Sequence, residues 1–166
     1  MATEAPARQA GLPILRVVRG VTEHFESRIV EWAMTLGMLV WGSNLTQPDV
    51  SFAFAPSAWK GLTIVPYLGT AAAWGALCLW IAGVRLLALV INGSFNGTRY
   101  AAYSPTVRGV SALLASAVWF EVQLSVMAVP SPGRFTYVLP LLLDIWCVFH
   151  AGRDTGRAKV KRDASI

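Results

Sequence analysis

The chain has 166 residues, of which 55% are hydrophobic and only 14% charged, against about 25% charged in an ordinary soluble domain. That balance excludes a conventional water-facing surface. The formal charge of +5 sits beside apolar runs, which points to membrane orientation rather than to a nucleic-acid partner. Two cysteines, Cys78 and Cys147, exclude a disulfide scaffold and read as small membrane-buried hydrophobes.

Residues 1–28 contain no signal peptide of the usual form, because Pro13 and Arg16 break the apolar patch at 12–18. The first span then serves as an uncleaved insertion signal. Residues 1–11 read as a disordered start. Beyond them, Ile14, Val17, Val18, Val21 and Phe25 recur at helical spacing opposite Arg16, Arg19, Glu23 and Glu26. That pattern predicts an amphipathic helix on the membrane surface, with a charged lead-in turn as the alternative.

The first span is placed at 29–45, short for a bilayer that asks for about 20 residues, with Glu31 facing headgroups. Pro48 and Pro56 make 47–60 a loop, and Phe52, Phe54 and Trp59 draw it to the interface. The second span, 62–91, carries a single charge, Arg85, and its excess length implies tilt. Gly69, Ala73 and Ala76 would admit a close neighbour there. A polar loop at 92–108 ends in Ser104-Pro105, which reads as a helix start. The third span, 109–129, presents Ser111, Ala112, Ala115 and Ser116 as a small-residue face. A Pro-rich turn leads to the fourth span, 135–150, and 151–166 forms a basic tail.

The fold expected is therefore all-α: an integral membrane protein with about four transmembrane helices in an antiparallel bundle and an N-terminal interfacial helix. The spanning domain covers 29–150. Barrel strands are excluded because these runs do not alternate, and a chain this small has too little interior to hide four such segments from water. Trp32, Trp41, Trp59 and Trp146 match interfacial belts, whereas Trp74, Trp80 and Trp119 lie deeper and are expected between helices.

Orientation follows from the basic residues. Arg8, Arg16, Arg19 and Arg28, then Arg85, Arg99 and Arg108, then Arg153, Arg157, Lys159, Lys161 and Arg162 fall on one side. Lys60 and Arg134 alone fall on the other. Both termini are accordingly cytoplasmic, with Arg85 snorkelling to the inner interface or pairing with Glu31.

Glu121 and Asp144 are the strongest local signal. At about 1.5 Å per residue they reach similar depth on adjacent antiparallel helices, where a charged carboxylate costs a few kcal/mol. Three readings stay open: a proton or cation relay, a pair of acids gluing helices or subunits, and separate satisfaction by groups such as Gln123, Ser125 or Ser116. With no Arg or Lys placed at that depth, an ion pair within one protomer is not expected.

His24 and His150 are poorly placed for haem. Cys147, His150 and His24 make a weak metal set, so no cofactor or metal is expected. No nucleophile–base grouping marks an enzyme.

Asn92-Gly-Ser94, Thr98-Arg99-Tyr100 and Ser104-Pro-Thr-Val-Arg108 lead into a span bearing Trp119-Phe120; a last span with Asp144 precedes Arg153-Asp154 and a basic tail. In this arrangement residues 92–159 resemble small, uncharacterised multi-span membrane proteins of tailed bacteriophages. The resemblance implies a phage or phage-derived origin and a bacterial inner membrane, and carries no active residues over. The function expected is a non-enzymatic structural or accessory subunit, acting by helix–helix contact in a homo-oligomer or larger membrane complex, with the lipid bilayer as its surroundings and no nucleic acid. The alternatives are a holin or superinfection-related pore protein, and a conducting element built on Glu121 and Asp144.

Overall fold

The computed structural model describes residues 25, 28–50, 62, 68–94, 99–127 and 133–163. Most of the expected interfacial helix at 12–28, most of the 47–60 loop and the 129–132 turn lie outside the described residues. Among the described residues all regular structure is helical, with no strand: α1 (Ile29–Leu45), α2 (Ala71–Ser94), α3 (Arg99–Met127) and α4 (Val138–Asp163).

Helix ends are set by local chemistry more than by hydropathy. The helix expected from residue 62 begins at Ala71, because the Thr70 hydroxyl accepts from the Ala73 amide at 3.2 Å and caps the first turn. In the other direction α2 runs beyond 91 to Ser94. The helix expected from Ser104-Pro105 begins at Arg99, with Pro105 inside it. Proline removes a backbone donor there, and the adjacent Ser104 hydroxyl is free to bond across to the Ala88 carbonyl of α2 at 2.7 Å. Pro140 sits in the first turn of α4, where no donor is needed. The expected end of that helix at 150 is also corrected: α4 continues through the basic segment to Asp163. Nothing at 151–163 breaks it, and Asp154 anchors it inward (below).

The helices run up, down, up, down. One end gathers the start of α1, the end of α2, the start of α3 and the second half of α4. The opposite end joins α1 to α2 and α3 to the turn before α4, where Gln123 donates to the Arg134 carbonyl at 2.5 Å. Packing follows chain order, α1 on α2, α2 on α3 and α3 on α4, while α4 and α1 meet only sparsely. Trp74, Cys78, Ile81 and Ala82 of α2 form the core with Met34, Met38 and Leu45 of α1 and Ala115, Val118, Trp119 and Val122 of α3.

Close approach occurs where two glycines meet. A Cβ on Gly75 would lie 2.7 Å from the Gly42 carbonyl oxygen, and one on Gly42 would lie 3.0 Å from the Gly75 carbonyl oxygen. Of the small residues singled out from sequence, Ser111, Ala112, Ala115 and Ser116 are buried in the bundle. Gly69 and Ala76 are exposed and Ala73 only half-buried; the α2 contact is one helical step round, at Gly75, Cys78 and Ala82.

The bundle has an apolar exterior and encloses charges beside its apolar core. Its outside carries Leu36, Val40, Trp80, Leu87, Leu113, Phe120, Leu124, Leu139, Leu142, Trp146 and Phe149. Trp80 thus faces out, whereas Trp74 and Trp119 pack inside. The interior holds Glu31, Thr35, Arg85, Arg108, Ser111, Gln123, Ser125 and Asp144. Water as solvent would favour the opposite sorting. Two stretches, Ala71–Asn92 and Tyr103–Met127, are long and apolar enough to cross a membrane.

Candidate functional site

Two ionic clusters occupy the interior. The first lies within the bundle. Asp144 of α4 is fully buried and Arg85 of α2 only 2% exposed. Arg85 Nη1 donates to Asp144 Oδ1 at 2.5 Å, and the Trp119 indole Nε1 of α3 donates to Asp144 Oδ2 at 3.0 Å. Three helices therefore converge on one carboxylate. Arg85 can reach it because helical side chains lean towards the helix N-terminus, which carries the guanidinium away from its own end of α2 and deeper into the bundle. Its Nε and Nη2 are buried without a partner among the described residues. Trp119 is also one ring of an aromatic group with Trp41 at 5.3 Å and Tyr137 at 6.1 Å between centroids.

The second cluster ties all four helices at the end where α1 begins. Arg108 of α3 grips Glu31 of α1 with both sides of its guanidinium, Nε to Oε2 at 2.7 Å and Nη2 to Oε1 at 2.5 Å. The same Nη2 meets Asp154 of α4 at 3.2 Å, and Arg28 meets Asp154 at 3.4 Å. Asn92 of α2, with its amide oxygen turned to the guanidinium, accepts from Arg28. His150 Nδ1 approaches Glu31 Oε1 at 3.3 Å. Burial, then the Arg108 cation, push the Arg28 guanidinium below its usual value, with Glu31 and Asp154 opposing them; an arginine remains charged regardless. On the sparse seam between α4 and α1, a cavity of about 230 Å³ is lined by Arg28, Glu31, Trp146, Cys147 and His150.

No family model, characterised protein or solved structure matches this chain.

Of the three readings open for Glu121 and Asp144, the two that join the acids lose their geometry, and the two acids are separate. Glu121 is half-buried and in no ion pair among the described residues, while Asp144 is held by Arg85 and Trp119. Depth along the helices was the wrong criterion, because Glu121 and Trp119 are two residues apart and so about 200° apart around α3. Trp119 faces α4 and Glu121 does not. The expectation that no cation reaches Asp144 fails for the same pair, and Arg85 is neither snorkelling nor paired with Glu31. Arg108, read as a loop residue, is instead buried and is the partner of Glu31.

Of the remaining basic residues, Arg16 and Arg19 lie outside the described residues. Arg99 opens α3, and Arg153, Arg157, Lys159, Lys161 and Arg162 are all carried on α4, with Arg153 and Arg157 exposed. Among the described residues no three His, Cys, Asp or Glu side chains are arranged to hold a metal ion. Sequence held a partial signal for the buried pairs: Glu31, Arg85 and Asp144 each stand as the lone charge of an apolar segment, whereas Arg108 lies just outside the span read at 109–129.

Proposed function

We propose that this chain is a four-span integral membrane protein, both termini cytoplasmic, working as a non-enzymatic structural or accessory subunit of a membrane assembly. The observation that carries the reading is the sorting of side chains: large apolar ones outside, and ion pairs enclosed beside the apolar core. In hydrocarbon that sorting is the stable one, since unpaired polar groups are costly there. At 24, 29 and 26 residues, α2 to α4 extend about 36 to 43 Å, more than the hydrocarbon core of about 30 Å. α1, with 17 residues, crosses only with thinning or help from flanking residues.

With Arg85 and Arg108 taken into the interior, the basic residues of the N-terminal arm, Arg99 at the start of α3 and the end of α4 still outweigh Lys60 and Arg134, which supports the sidedness. The bacterial inner membrane, and a phage or phage-derived origin, are proposed on the resemblance of residues 92–159 alone.

Within this reading the buried charges serve as glue. A relay needs a carboxylate that exchanges its proton, and Asp144 is held by a guanidinium and an indole. The conducting alternative rested on Glu121 facing Asp144 and loses that geometry.

Two measurements test the proposal. Single cysteines at Ser57→Cys and Ser165→Cys, in a chain lacking Cys78 and Cys147, are probed with an impermeant maleimide on intact cells. Labelling at 57 but at 165 only after permeabilisation is expected; the reverse pattern refutes the orientation. Mild-detergent purification from native membranes should then yield a partner or a defined oligomer. A lone protomer at every detergent mildness removes the subunit role.

A further inference from the structure

The acids and bases of the last turns of α4 face different ways. Asp154 turns inward to Arg28 and Arg108. Its neighbours Arg153 and Arg157, four residues apart on the same helix, are exposed and take part in no ion pair among the described residues. Like charges at that spacing repel by a few tenths of a kcal/mol, so their juxtaposition asks for an external counter-charge. The helix dipole does not provide it, because its attraction for cations is confined to about the last turn, and α4 continues to Asp163.

Position supplies the rest. Arg153 and Arg157 lie about 22 and 28 Å along α4 from Val138. On the four-span reading, on which this inference rests, that brings Arg157 to the cytoplasmic edge of the hydrocarbon core of about 30 Å and leaves Arg153 about a turn and a half inside it, within snorkelling reach of the headgroups. The helix beyond carries Lys159, Lys161 and Arg162 against Asp163, so the basic character continues through the interface.

We infer that the exposed Arg153–Arg157 face of α4 is a binding surface for anionic phospholipid headgroups, the phosphate lying across the two guanidiniums while Asp154 is withdrawn into the bundle. Arginine suits this role because its planar fork bonds two phosphate oxygens at once. Withdrawal of Asp154 matters, since an outward carboxylate one residue from Arg153 would neutralise the surface.

The full chain is purified in detergent micelles doped with equal amounts of phosphatidylglycerol and phosphatidylcholine, and retained lipids are counted by native mass spectrometry. Wild type should retain phosphatidylglycerol preferentially. Each arginine replaced in Arg153→Gln/Arg157→Gln should cut the preference about fivefold, equivalent to the ~1 kcal/mol of one basic side chain near an anionic surface. The double lysine variant should keep an intermediate preference, since it retains the charge but not the fork, and added salt should weaken it. No preference in wild type, or an undiminished preference in the double glutamine variant, overturns the inference. A fluorescent oligonucleotide retained without any lipid preference overturns it in favour of a nucleic-acid partner. Alkaline carbonate extraction of membranes is run alongside. Protein that stays in the membrane without lipid preference defeats the headgroup site alone, whereas protein released by carbonate defeats the four-span reading as well.

Discussion

The two buried clusters solve one problem in opposite ways. Around Asp144 a single carboxylate faces a single guanidinium and an indole, and two of the Arg85 nitrogens have no partner among the described residues. Around Glu31, charge is shared: Arg108 contacts two carboxylates, Asp154 contacts two guanidiniums, and Asn92 and His150 add polar contacts. The first arrangement is a lock with one key. The second is partly redundant, with Arg108 as its hub. The difference follows from position, since a pair enclosed by three helices has no water to fall back on, whereas the end cluster includes groups open to the exterior, such as His150 at 33% exposure.

The largest effect is expected at the lock. Asp144→Ala leaves a buried guanidinium uncompensated and should cost about 3–5 kcal/mol, read as a lowered Tm by tryptophan fluorescence in detergent. Replacing both partners, Arg85→Met with Asp144→Leu, should restore most of that loss, because a buried ion pair exchanged for apolar side chains is often neutral. A double variant as unstable as the single one would show that the charges do more than satisfy each other.

Trp119→Phe keeps an aromatic ring in the core but removes the indole donor to Asp144 together with some buried volume, which adds to the loss. A hydrogen bond to a charged group is worth about 1.5–3 kcal/mol, and a Tm shift of at least that size is expected. An unchanged Tm would mean that Arg85 alone holds the carboxylate.

Glu31→Gln tests the redundancy. Asp154 remains beside Arg108 and the amide oxygen still accepts one bond, so the expected loss is about 1–3 kcal/mol. A loss equal to that of Asp144→Ala would erase the distinction between the clusters. The smallest effect belongs to His150→Gln, at less than about 1 kcal/mol, since its contact is long and partly open to solvent. A greater loss there would make the seam between α4 and α1 a structural joint instead of an opening.

The apolar segments were legible in the sequence. Transfer of side chains from water to hydrocarbon is close to additive along a chain, so long runs announce helices without knowledge of their neighbours. The small-residue face at Ser111, Ala112, Ala115 and Ser116 was legible for a similar reason, being a repeat along one helix. Helix ends were less so: Thr70 begins α2 by capping, and Pro105 fails to begin α3, because each outcome depends on single hydrogen bonds that hydropathy does not weigh. The glycine contact between Gly42 and Gly75 gave no separate sign, since each glycine is unremarkable until the two helices cross.

What the sequence by itself determined is the helical class, the approximate place of the four apolar segments and the presence of charges among them. Which charge met which was decided only in the tertiary structure. Glu121 and Asp144 share a depth but not a direction; Arg85 reaches Asp144 because its helix runs antiparallel to the route its side chain takes; Arg108 finds Glu31 because α1 and α3 begin at the same end. Depth is a count of residues along one helix. Partnership also needs the angle around each helix and the order in which the helices pack, and those are fixed jointly by all four.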